Sequence, residues 1–167
     1  MKAVVCLLPV LVAFAFPVTA QDSSVRLGSP SEFRDAVALE VSLQDLTRAV
    51  DDMEQLQAMA ERVLILEGIA ISITVYSQDP QDFYVELELV GGTWEGVEQV
   101  EMHHAYVVFD DPEFAGRLAE RTPRDTDASV IVRNDRVLIA GQLVSVAEIE
   151  DGEVVPVIQA YALRKIP

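Results

Sequence analysis

The only two histidines of the chain, His103 and His104, are adjacent. On an extended strand neighbouring side chains point to opposite faces, so this pair does not chelate one metal ion. His104 alternates with Tyr106, and the strand predicted before it places Tyr84, Glu86 and Glu88 on one face. Two aromatics beside two carboxylates can stack a ring, accept hydrogen bonds or attract a cation. A weak metal site of His104 with Glu86 or Glu88 is weighed against two ordinary imidazoles. The ordinary reading is preferred, and no metal or other cofactor is expected.

Other chemistry is sparse. No serine sits in a nucleophile-elbow context, and the single cysteine, Cys6, lies close to the start of the chain. An activated Ser, Thr or Cys beside a base is therefore missing. Gly91-Gly92 has no Lys-Ser/Thr after it and no predicted helix start, so it is no phosphate-cradling loop. Carboxylates are too abundant for any pair of them to mean general acid–base work. The chain reads as a non-enzyme, with a small hydrolase ranked last. Trp94, in the loop Gly91 to Gly96, either closes one end of the core or anchors a partner.

These side chains need elements to hold them. Ser31 is read as the cap of a first helix from Glu32 to about Leu39. Ser42 with Asp45 three residues on resembles a capping box. Leu43, Leu46, Val50, Met53, Leu56, Ala60 and Val63 follow at helical spacing, as one long helix or two with a bend near Asp51-Asp52. From Arg62 the pattern turns to β. Val63 to Tyr76 carries Ile65, Ile69, Ile71, Ile73 and Val75 on one parity, and Gly68 marks a bend that lets one strand serve two sheets. Asp82 to Val90 alternates, with Phe83, Val85, Leu87 and Leu89 facing inward and Gly91-Gly92 ending it. A third strand spans His103 to Phe109. Asp110-Asp111-Pro112-Glu113 then opens a short helix ending near Arg121. Arg136 to Ile149, bent at Gly141, and Val154 to Leu163 complete the set around a turn at Asp151-Gly152, with a possible extra strand at Ser129 to Val132.

The first twenty residues read as an export leader. Lys2 precedes an uncharged apolar run from Ala3 to Phe16, then Pro17 and the small-residue ending Val18-Thr19-Ala20. The mature protein is expected to start at Gln21 and to be periplasmic or secreted, without cysteine and without a membrane anchor. The expected division is 1–20 leader, 21–31 polar tail, 32–61 helical segment and 62–167 β-barrel. The formal net charge is −16, and loss of Lys2 makes it −17. Such a balance repels phosphate backbones, so nucleic acid is not expected as a partner.

The order strand, strand, strand, helix, strand, strand resembles the OB-fold, a small five-stranded barrel. The segments Val107 to Asp111, Arg136 to Val146 and Val157 to Ala160 look like the corresponding parts of small exported bacterial OB-fold domains, over about residues 60–165. The expected fold is therefore mainly β with flanking helices: an OB-like barrel with a helix between strands three and four, preceded by amphipathic helices. The resemblance implies a binding or accessory module, read here as an exported module of the cell envelope with an unidentified protein or small-molecule partner. A cation- or carbohydrate-binding module is the alternative. The expected ligand face, on strands two and three, holds Tyr84, Glu86, Glu88, His104 and Tyr106, with Trp94 in the adjoining loop; a plain half-exposed β-face is the simpler reading of the same residues.

Overall fold

The computed structural model describes residues 29–96, 99–123, 129–149 and 152–167. The leader read at 1–20, most of the polar tail and Asp151 of the expected turn lie outside them. Three short helices, α1 (Pro30–Ala36), α2 (Leu43–Ala49) and α3 (Met53–Ala60), and the two-residue strand β1 (Val37–Ala38) precede five long strands. These are β2 (Val63–Ser77), β3 (Tyr84–Glu95), β4 (Gln99–Phe109), β5 (Arg136–Glu148) and β6 (Val154–Lys165). Their order β2-β3-β4-β6-β5, with β5 paired back to β2, closes a barrel. The β4–β6 pair is parallel and the other barrel pairs are antiparallel. This is an OB-type barrel, as the order of the elements implied.

Closure depends on β2 and β5 each reaching two neighbours. Leu64 to Ile69 of β2 pair with Arg136 to Gly141 of β5, and Ile69 to Ser77 pair with β3. Gly68 and Gly141 lie where strands press together. A Cβ on Gly68 would stand 2.8 Å from Leu89 Cδ1 and 2.9 Å from the Val90 carbonyl oxygen, and one on Gly141 would run into the Gln159 carbonyl oxygen. Both glycines answer a close approach of backbone.

The core corrects the expected parity of β2. Leu64, Leu66 and Ala70 are buried, and Ile69 is exposed, whereas Ile73 faces inward further along. The ladder with β3 skips a residue between Ala70 and Ser72, so Ile71 is the extra residue that switches the faces. Phe83, just before β3, and Val85, Leu87 and Leu89 on it enter the core as alternation required. Gly91-Gly92 does not end the strand, because the ladder runs on to Glu95 opposite Gln99.

The helices differ in detail from the sequence expectation. Ser29, not Ser31, caps α1, and Pro30 takes the first turn. The chain then leaves the helix so that Val37 and Ala38 pair with Val63 and Leu64. The apolar stripe takes the second of its two expected forms, breaking at Asp52, which accepts from the amides of Glu54 and Gln55 and starts α3 afresh. That break turns Met53 outward, 76% exposed, while Leu43, Leu46, Ala49 and Leu56 join the barrel core. Between β4 and β5 the expected helix is a single 3-10 turn, Pro112–Phe114, capped by Asp111. Gly116, at φ 76°, reverses the chain before a second turn forms. Phe114 still closes that end of the barrel, its ring 5.0 Å from Phe109 at an edge-on angle. At Ser129 to Val132 there is only a bridge from Ile131 to Leu118.

The capping box on α2 makes a testable electrostatic contribution. The Asp45 carboxylate accepts from the Ser42 hydroxyl at 2.6 Å and the Ser42 amide at 2.9 Å. The bond from the Ser42 side chain, then that from its backbone, hold the Asp45 carboxyl below the usual aspartate range; Arg48 adds to this. A depressed folded-state value means the contribution is complete at neutral pH and lost as pH falls through that value. Asp45→Asn is expected to cost about 1 kcal/mol or less near pH 7. In urea unfolding the gap to the parent chain should narrow as pH falls below the ordinary aspartate range.

Candidate functional site

The outer face of β3 and β4 is built by strand alternation. Inward residues fill the core, and Tyr84, Glu86 and Glu88 of β3 are left outside beside His104 and Tyr106 of β4, with Val108 on the same face but buried. Register sets the rows: Glu86 stands opposite Val108, Glu88 opposite Tyr106, and Val90 opposite His104. The two histidines part as expected. His103 is 2% exposed, with its Nε2 3.7 Å from Glu101 Oε2. His104 is outside, and its Nδ1 lies 3.1 Å from Glu88 Oε1.

A groove of about 530 Å³ crosses this face, lined by Tyr84, Glu86, Tyr106, Val108, Ala147, Glu148, Ile149 and Val157. The last four come from the β5–β6 hairpin. It overhangs the face because β6 docks in parallel on β4, Tyr106 against Val157. None of these lining residues is cationic. Tyr76 adds a third ring at the edge, 5.5 Å from Tyr84 between centroids and tilted by 51°.

Both groove tyrosines are neutral at physiological pH, as any ordinary phenol is, and their surroundings push them further from ionisation. Burial pushes the Tyr84 phenol up, and Glu86, Tyr76 and Asp110 push further. Burial and then Glu88 and Glu86 do the same at Tyr106. An uncharged ring suits stacking, and the phenol keeps its hydrogen for donation. The carboxylates accept hydrogen bonds. Among the described residues no group of three or more His, Cys, Asp or Glu is placed to hold a metal ion.

Five of the six residues singled out in the sequence thus share one strip of surface. Trp94 does not reach the groove. It is 70% exposed beside the tip of the β3–β4 hairpin, opposite Val100, so it does not close the core either. Six residues of strand separate it from the row of Glu88 and Tyr106, roughly 20 Å at the usual rise. The sequence reading missed Ala147, Glu148, Ile149 and Val157. Their only signal was the adjoining Asp151-Gly152 turn, since loops that flank this face in OB barrels contribute to ligand sites.

No family model and no curated protein matches this chain. Solved structures do. A small single-stranded DNA-binding protein from Streptomyces coelicolor matches at 14% identity, over 62% of this chain and 91% of that one, with a TM-score of 0.42. A Plasmodium falciparum SSB in complex with ssDNA matches at 10% identity, over 63% and 94%, with a TM-score of 0.43. The mitochondrial single-stranded DNA-binding protein Rim1 from S. cerevisiae matches at 6% identity, over 62% and 92%, with a TM-score of 0.37. These are likenesses of fold.

The same matches correct the sequence reading on two points. The three structures just named are described as single-stranded DNA-binding proteins, one of them with ssDNA, and not as envelope accessory modules. The assignment to an exported envelope module with a protein or small-molecule partner is withdrawn, and so is the exclusion of nucleic acid. The physical error lay in scale. Net charge belongs to the whole chain and sets long-range repulsion of phosphates. Stacking of a base is decided by the few side chains of one groove.

Proposed function

We propose that the chain is a non-enzymatic OB-fold protein that binds unpaired nucleobases, in single strands or as free nucleosides. The bases stack on Tyr84 and Tyr106 beneath the β5–β6 hairpin, and any sugar–phosphate backbone faces solvent. One observation carries this reading: two neutral tyrosines line a single groove whose charged lining residues, Glu86 and Glu148, are both acidic. Rings favour rings, and carboxylates accept from amino groups on base edges. With no cation in the lining, phosphates are not the attractive element. Export through the leader at residues 1–20 belongs to the same proposal; N-terminal sequencing of the native protein is expected to begin at Gln21.

This mode of binding has a salt signature opposite to that of a phosphate-neutralising protein. Counterion release makes ordinary nucleic-acid binding weaken steeply as salt rises. Here, added salt screens repulsion between a chain of net charge −16 and the phosphates, and leaves stacking alone. Anisotropy with a labelled six-nucleotide single strand is expected to give a Kd of about 0.1–10 mM, from roughly two stacked bases. That value should hold or tighten from low to physiological salt. Free nucleosides should compete for the same site. Absence of saturable binding by either ligand, or a steep loss of strand binding with salt, overturns the proposal.

A further inference from the structure

The outer face of β3 carries one carboxylate held in place, beside the groove, and another inside the groove that is not. Glu88 is engaged by His104 Nδ1 at 3.1 Å. Glu86 has no hydrogen-bond or ion-pair partner among the described residues. It sits two residues from Tyr84 on β3, beside apolar Val108, and one ladder row from Tyr106. Its charge is felt by both phenols, being a cause of the upward shift at each. A half-buried carboxylate flanked by two stacking rings and short of donors is an acceptor waiting for a donor edge.

From this placement, and resting on the base-stacking reading above, we infer that the groove selects guanine, with the Glu86 carboxylate accepting from the N1–H and N2–H₂ donors of the stacked base. The chemistry of the edges decides the order. Guanine offers two neighbouring donors, which match the two oxygens of one carboxylate. Cytosine and adenine offer a single amino group next to a ring-nitrogen acceptor, which the second carboxylate oxygen repels. Uracil and thymine offer one N–H between two carbonyl oxygens, the least compatible pattern. Glu148, on the opposite wall, adds acceptor capacity and no donor, which strengthens the same order.

The test is competition of guanosine, inosine, cytidine, adenosine and uridine against the labelled strand on the full chain. Inosine is guanosine without the N2 amino group, so it isolates the second donor. Guanosine is expected to bind about tenfold more tightly than inosine and uridine, the discrimination typical of a bidentate side chain–base pair. Glu86→Gln keeps the size and the stacking surface but replaces the two-oxygen acceptor with an amide, one acceptor beside one donor; it should abolish the preference for guanosine over uridine. Equal affinities in the parent chain, or a guanosine preference that survives Glu86→Gln, overturn the inference and leave the stacking reading standing. Failure of every nucleoside to compete overturns both.

Discussion

Gly141→Ala destabilises the barrel by about 3 kcal/mol, at the upper end of what overpacking costs and a large part of the stability of a small domain. The added methyl would meet the Gln159 carbonyl oxygen, with Ile158 Cγ2 at 2.7 Å. A carbonyl oxygen in a ladder cannot rotate away as a side chain does, so the strands themselves must separate. Gly141 is also the residue at which β5 pairs with Leu64 on one side and Ala160 on the other, beside a register shift. Displacing it loosens both seams that close the barrel. Gly91→Ala is the control. Its methyl would meet Leu43 Cδ2 at 3.3 Å, the end of a side chain that can adjust. A loss under about 1 kcal/mol is expected there. Urea unfolding of the two variants measures the contrast, and equal losses would mean that strand approach at Gly141 does not govern closure.

What the sequence revealed was whatever is decided within a few residues. The alternation from Phe83 to Leu89 fixed both the buried set and the opposite face of Tyr84, Glu86 and Glu88, because pleating alone settles that. Gly68 and Gly141 announced bends for the same local reason. Features that depend on a partner far along the chain stayed hidden. The bulge at Ile71 arises from the register with Leu89 and Glu88, and nothing in the run of isoleucines marks it. Gly91-Gly92 looked like a terminator, yet the space left by Gly91 admits Leu43 of α2 and the ladder continues. Asp111 and Pro112 are good opening signals for a helix, but one turn satisfies them as well as three, and Gly116 limits the length. The groove shows the same division. One wall was readable by parity, and the other forms only when parallel pairing of Val157 with Tyr106 brings the β5–β6 hairpin across.

That division locates the largest functional effect. Tyr84→Ala with Tyr106→Ala is expected to weaken binding of a three-nucleotide strand by about 30-fold or more, since each stacked base contributes about 1–3 kcal/mol. Both rings lie on the outer wall of the barrel, Tyr84 being 38% exposed, so the thermal midpoint should move little. Tyr84→Phe with Tyr106→Phe should retain most of the affinity, because the ring and not the hydroxyl provides the stacking surface. Trp94→Ala should leave a ligand this short unaffected, since the indole stands at the far end of the hairpin. A ranking in which Trp94 outweighs the tyrosines would move the binding surface to the β3–β4 tip. The acidic groove would then be a repulsive boundary rather than the site. Composition alone does not distinguish these two arrangements, because the same net charge accompanies both; the position of the rings relative to Glu86 does.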